Sequence, residues 1–142
     1  MIELITSDQN ATGLDRLPFK GHILIVDDDR FFTKVFKIIL TGEAYAVNCA
    51  ASLGEARELL RQTRFDAIVS DLRMADRDDG IALLQELRAE NNSTPFIMLT
   101  GFGEVENYMV AMNAGATEYL NKPVQAEELL SVLERCLRRH EQ

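Results

Sequence analysis

The feature that most restricts the fold of this chain is an alternation of two kinds of segment, repeated five times from His22 onward. Short apolar runs bounded by polar residues read as buried strands: Ile23–Val26, Ala44–Ala50, Ala67–Val69, Phe96–Leu99 and Thr117–Leu120. Between them the apolar residues recur every three or four positions, as on a helix face. The first such face carries Phe32, Val35, Phe36, Ile39 and Leu40, and the second Leu53, Ala56, Leu59 and Leu60. Ile81, Leu84 and Leu87 form a third, and Val105, Tyr108, Met109 and Met112 a fourth. Leu129, Val132, Leu133, Cys136 and Leu137 complete the series. Ser52-Leu53-Gly54-Glu55 opens the second helix as a capping box, Gly115 stands where the fourth must stop, and Pro123 precedes the fifth. This order predicts an α/β fold: a doubly wound, five-stranded parallel sheet of flavodoxin-like (βα)5 winding.

The 142 residues suit one globular domain, placed at 21–142. Residues 1–20 lack any period and read as a flexible N-terminal arm, with Ile2-Glu3-Leu4-Ile5 as a docked piece. A net charge of −8 would repel nucleic acid and anionic lipid, so direct binding of either is not expected. The longest apolar run, Tyr108–Met112, has five residues against about 20 needed to span a bilayer. With Glu3 and Asp8 in place of a basic, then apolar, leader, a cytoplasmic protein is expected. Cys49 and Cys136 sit in apolar patterns as free thiols, and His22 and His140 lack zinc-ligand spacing.

In an open α/β sheet, sites form beyond the carboxyl ends of the strands. There the chain places Asp27-Asp28-Asp29, Ser70-Asp71, Thr100-Gly101 and Asn121-Lys122-Pro123. Seven of the ten aspartates lie at this rim or in the loop carrying Asp76, Asp78 and Asp79, so the acids are gathered rather than spread. Carboxylates a few Å apart repel unless a cation intervenes. An all-oxygen ligand set suits Mg²⁺, which phosphate oxygens tend to complete. Asp71, at the middle of the sheet, is then the expected nucleophile. Lys122 can neutralise one phosphoryl oxygen, and the Thr100 hydroxyl can bond another. Asp29 serves equally well as a helix N-cap or a ligand. Asp66, at the opposite end of the third strand, reads as structural.

Taken together, these residues resemble the receiver (CheY-like) domain of bacterial two-component response regulators, over about residues 21–140. The likeness is carried by Ile23–Asp29, Phe65–Met74, Pro95–Gly101 and Ala114–Pro123, in order and at the expected spacings. Asp71–Met74 and Thr100–Glu106 are most similar to receivers of the nitrogen-regulator type. The resemblance implies Asp71 as phosphoacceptor, Asp28 as direct metal ligand, Asp27 acting mostly through water, and the Arg73 backbone carbonyl as a further ligand. It also implies Thr100 and Tyr119 as a switch pair, Lys122 as phosphoryl clamp, and a cis bond before Pro123.

The implied function is a switch phosphorylated by a sensor histidine kinase or phosphotransfer protein, acting on an effector domain or protein, with a homodimer left open. On this reading it is not an enzyme beyond its own phosphotransfer and dephosphorylation. One departure is the acceptor loop: Met74-Ala75-Asp76-Arg77-Asp78-Asp79-Gly80 lacks the family's usual proline and is one residue longer, which predicts a looser loop. That loop motivates an alternative, a receiver-like interaction module working without phosphate. A haloacid-dehalogenase-like phosphohydrolase is disfavoured by Arg30-Phe31 after Asp29 and the lack of a cap domain. A flavodoxin is disfavoured by three aspartates where neutral phosphate-binding groups belong.

Overall fold

The computed structural model describes residues 19–75, 77–101 and 105–141. The expected arm therefore lies, up to residue 18, outside the described residues, as do Asp76 and residues 102–104. In chain order the elements are β1 (Gly21–Val26), α1 (Arg30–Gly42), β2 (Tyr45–Ala50), α2 (Leu53–Gln62) and β3 (Ala67–Asp71). Then follow α3 (Asp79–Ala89), β4 (Phe96–Thr100), α4 (Val105–Asn113), β5 (Glu118–Asn121) and α5 (Ala126–Glu141). All strand pairings are parallel, in one sheet ordered β2-β1-β3-β4-β5. This is the doubly wound fold that the alternation predicts.

Because side chains alternate across a pleated strand, each buried strand feeds two cores. Ile23, Ile25, Val69, Ile97 and Leu99 pack with Phe36 and Leu40 of α1 and with Leu129 and Leu133 of α5. Leu24, Val26, Ile68, Phe96 and Met98 pack on the other face with Ala56, Leu84, Leu87 and Ala111. Burying each of the larger side chains stabilises the fold by roughly 1.5–3 kcal/mol.

Three strands extend beyond the apolar runs at their carboxyl ends. Ser70 and Asp71 pair with Met98 and Leu99, and Thr100 pairs with Asn121. Polar side chains there point into a site, yet their backbone still belongs to the ladder.

Local signals behave as their chemistry requires. The Asp29 carboxylate accepts the Phe31 and Phe32 N–H groups and caps α1, which settles its role. Ser52 caps α2 through the Glu55 N–H, while Glu55 reaches back to the Ala51 N–H. Gly115 has φ +106° just past α4, and its carbonyl accepts from the half-buried Arg88 guanidinium. Asp66 accepts the His22 N–H at the far edge of the sheet, as a structural residue would. Cys136 is buried and Cys49 partly so; burial pushes both thiols up.

The fourth helix departs from its predicted face. Tyr108, Met109 and Val110 are 48%, 54% and 48% exposed, so Met109 is not the core residue expected of it. Ala111 takes the sheet-facing place, with Met112 partly buried beside it. An unbroken apolar run gives periodicity nothing to distinguish, and the close approach of helix to sheet selects the smallest side chain.

Candidate functional site

At the carboxyl edge of the sheet the winding reverses between β1 and β3, leaving a crevice there. Asp27 and Asp28 follow β1 and Asp71 ends β3, so two neighbouring strands bring the three carboxylates together. One oxygen of each lies within 4.8 Å of the others. Asp27 is fully buried, and Asp28 lies at the surface. The Asp71 side chain is 15% exposed, open enough to be reached from solvent.

Lys122 enters from the loop after β5. That loop is tied to β4 by a 2.7 Å bond from the Lys122 N–H to the Thr100 carbonyl, and the Lys122–Pro123 peptide is cis. Its ammonium donates to Asp27 Oδ2 at 2.8 Å and lies 3.4 Å from Asp71 Oδ2. The ring of Phe32 faces the ammonium at 5.0 Å. Burial opposes the Lys122 charge, but the bonds and charges of Asp27 and Asp71 outweigh it, raising the group above its usual range. Asp71 is pushed up to about 6, first by burial and then by the Asp27 charge. Lys122 and the Arg73 N–H oppose that rise only in part.

The donor set fits a small divalent cation: three carboxylates converge against one ammonium, and carboxylate oxygens are the hard ligands such ions take. Asp29 stands outside the group, having been spent on the α1 cap. Arg73 lies two residues beyond Asp71, its side chain engaged elsewhere.

Several bonds join the described residues of the lengthened acceptor loop. Met74 and Arg77 exchange two backbone hydrogen bonds, of 2.9 and 3.0 Å, across a turn in which Ala75 has φ +51°. Asp28 Oδ2 accepts the Ala75 N–H, and Asp78 pairs with Arg73 Nε at 3.0 Å. One acid of the loop is thereby neutralised.

Thr100 and Tyr119 occupy neighbouring strands near the acceptor. Thr100 is buried and its hydroxyl accepts a hydrogen bond from Asn107 Nδ2 at 3.0 Å. Tyr119 is half-buried and meets Tyr108 edge-on, with ring centroids 5.2 Å apart. Asn107, Tyr108 and the Phe32 ring over Lys122 were not among the sequence-derived candidates. Asn107 carries no recognisable spacing until the start of α4 is known, and Phe32 reads only as helix core.

Comparison with known proteins agrees with this geometry. A family model described as the response regulator receiver domain matches residues 23–134. The chain belongs to the response regulator receiver family. ZraR, a transcriptional regulatory protein of Salmonella typhimurium, is 39% identical over 118 residues, covering 83% of this chain and 26% of that protein. The chain thus spans about a quarter of the length of that regulator. A CheY-like receiver domain protein from Methanospirillum hungatei superposes with a TM-score of 0.78 at 33% identity, covering 84% of this chain and 95% of that one. The beryllofluoride-activated NtrC4 receiver domain dimer gives a TM-score of 0.76 at 30% identity, covering 83% and 97%. This receiver domain is accordingly a component of two-component signalling, and no helix among its described residues is long and apolar enough to cross a membrane.

Proposed function

We propose that this receiver domain is a phosphorylation-operated switch in which Asp71 accepts a phosphoryl group from the phosphohistidine of a sensor kinase or phosphotransfer protein. The observation that carries this reading is the convergence of Asp27, Asp28 and Asp71 beside the Lys122 ammonium. Asp27, Asp28 and Asp71, with the Arg73 carbonyl, would hold Mg²⁺. When bound, the ion would screen the carboxylates and offset charge on the phosphoryl oxygens.

With its pKa near 6, the Asp71 carboxylate is mainly ionised at pH 7 and available as a nucleophile. Its oxygen attacks phosphorus in line; the donor P–N bond breaks, and the imidazole nitrogen keeps the electron pair and takes a proton from solvent. Lys122, already 3.4 Å from Asp71, turns one of its N–H groups to an equatorial oxygen. Thr100 donates its hydroxyl to another, and Tyr119 turns toward the space vacated. The product carries close to two negative charges, a local change able to bias a two-state domain.

On this reading the chain does no chemistry beyond gaining and losing its own phosphate. It acts in the cytoplasm on an effector domain or protein, as a monomer or a homodimer. The Asp71–Met74 motif and the likeness to the NtrC4 receiver support the nitrogen-regulator subtype.

The test is incubation with acetyl phosphate and MgCl₂, followed by intact mass. One acyl phosphate per chain is expected, not formed when the metal is chelated before acetyl phosphate is added and absent from Asp71→Asn. An Asp71→Asn protein labelled to the same stoichiometry would overturn the assignment.

A further inference from the structure

We infer that Asn107 is a positioning residue that latches the Thr100 hydroxyl in its phosphoryl-free place and so sets how readily the switch moves. This rests on the reading above, in which Asp71 is the acceptor and Thr100 the hydroxyl that turns to it. The observation is the 3.0 Å bond from Asn107 Nδ2 to Thr100 Oγ1. Thr100 is 2% exposed, so its oxygen has little recourse to water, and a buried hydroxyl without a partner is costly. The partner it has lies on α4 and not among the carboxylates and ammonium of the site.

Threonine is β-branched and stiff at χ1, so its oxygen changes direction by a rotamer step rather than by drift. A step that aims Oγ1 at a phosphoryl oxygen on Asp71 takes it off the Asn107 amide. The two ends of the broken bond fare differently. Thr100 exchanges a neutral donor for a charged acceptor, while Asn107, half-buried on a surface helix, gives up one of its contacts. The resting bond therefore opposes the switch by a modest amount and is readily given up.

The same helix turn carries the second half of the device. Tyr108, the next residue along α4, meets Tyr119 edge-on at 5.2 Å. Asn107 and Tyr108 thus tie one helix to both members of the proposed switch pair. Letting go of Thr100 loosens α4 where it packs on Tyr119, beside the exposed Tyr108, Met109 and Val110.

Binding of beryllofluoride, a phosphoryl mimic, in the presence of MgCl₂ tests the latch on the full chain. Wild type, Asn107→Ala, Thr100→Val and the double variant are titrated. Alanine suits a half-exposed helical position, and circular dichroism checks that each variant is folded. A net bond of ordinary strength predicts that Asn107→Ala binds the mimic about two- to tenfold more tightly than wild type. The gain should vanish when Thr100 is already valine. Unchanged or weaker binding by Asn107→Ala, or an equal gain in the valine background, would overturn the latch.

A metal-free measurement adds an independent readout. In Asn107→Ala the Thr100 methyl and Tyr119 ring resonances should move part-way along the line joining free and beryllofluoride-bound wild type. Resonances that stay at the free wild-type positions would also overturn it. If wild type fails to bind the mimic at all, the acceptor reading fails first and takes the latch with it. Wild-type binding lost in Asp71→Asn, with Asn107→Ala unaltered, removes the latch alone.

Discussion

Asp71 is held at a disadvantage that its proposed chemistry requires. Its folded pKa of about 6 lies above the ordinary 3.8, chiefly through burial and then through the Asp27 charge. A carboxyl raised in this way contributes stability that is present below about pH 4 and is lost as pH rises through 6. Felt in full, such a rise would cost the metal-free domain about 3 kcal/mol at pH 7.5; solvent screening of this partly exposed group brings the cost to the order of 1–2 kcal/mol. Asp71→Asn should raise the midpoint of thermal unfolding at pH 7.5 without metal by roughly 3–8 °C, and the gain should fade as pH drops to 4. Differential scanning calorimetry at the two pH values checks it; a lower midpoint at pH 7.5 would contradict the geometry. Lys122→Ala should act in the opposite direction. It leaves the buried Asp27 carboxylate without its 2.8 Å ammonium and should destabilise the metal-free domain by about 2 kcal/mol or more in urea unfolding. The carboxylates and the lysine were legible from the sequence because each ends a strand on the same edge. The Phe32 ring over Lys122 and the Asn107 amide on Thr100 were not, because both contacts depend on how a helix seats on the sheet.

Among the elements, α3 is fixed to the acceptor strand by the absence of a side chain. A Cβ on Gly80 would stand 2.0 Å from the Asp71 carbonyl oxygen, a backbone atom that cannot step aside. The Gly80 N–H also bonds the Leu72 carbonyl, locking the first turn of α3 against the end of β3. Ordinarily glycine to alanine inside a helix gains up to about 1 kcal/mol. Here overpacking reverses the sign: Gly80→Ala should lose about 1–3 kcal/mol in urea unfolding and weaken binding of the phosphoryl mimic. Gly42, at the end of α1, has nothing within 4 Å of such a Cβ. Gly42→Ala should therefore be neutral or stabilising by up to about 1 kcal/mol, with mimic binding unaltered. Equal losses at both positions would mean that helix propensity, not the approach to Asp71, governs Gly80. Element existence was readable wherever an apolar run or a 3.6-residue period stood clear. Strand ends were not, since Ser70, Asp71, Thr100 and Asn121 are polar yet stay in the ladder. The α4 face was misread for the opposite reason, an excess of apolar residues. The Met74–Arg77 backbone pairing in the acceptor loop carries no signal in the sequence.

At the scale of the whole molecule, a chain of net charge −8 brings Asp27, Asp28 and Asp71 together on the edge where the strand order reverses. Two different kinds of salt effect follow. Screening of general self-repulsion depends on ionic strength alone and acts over about 10 Å at 0.1 M. Occupation of one site depends on the concentration of the ion that fits it, and stabilises by about 2.7 kcal/mol at a hundred times its dissociation constant. Titrating MgCl₂ against NaCl at matched ionic strength separates the two. The thermal midpoint should rise with MgCl₂ well before NaCl has any comparable effect, and continue upward with the logarithm of its concentration. Asp28→Asn should remove most of that excess while leaving the NaCl response in place, because Asp28 is exposed and its bond to the Ala75 N–H can be kept by an amide oxygen. Coinciding curves for the two salts would mean that the gathered carboxylates act only as a diffuse negative patch. The strand-edge convergence would then lack the ion on which phosphoryl transfer to Asp71 relies.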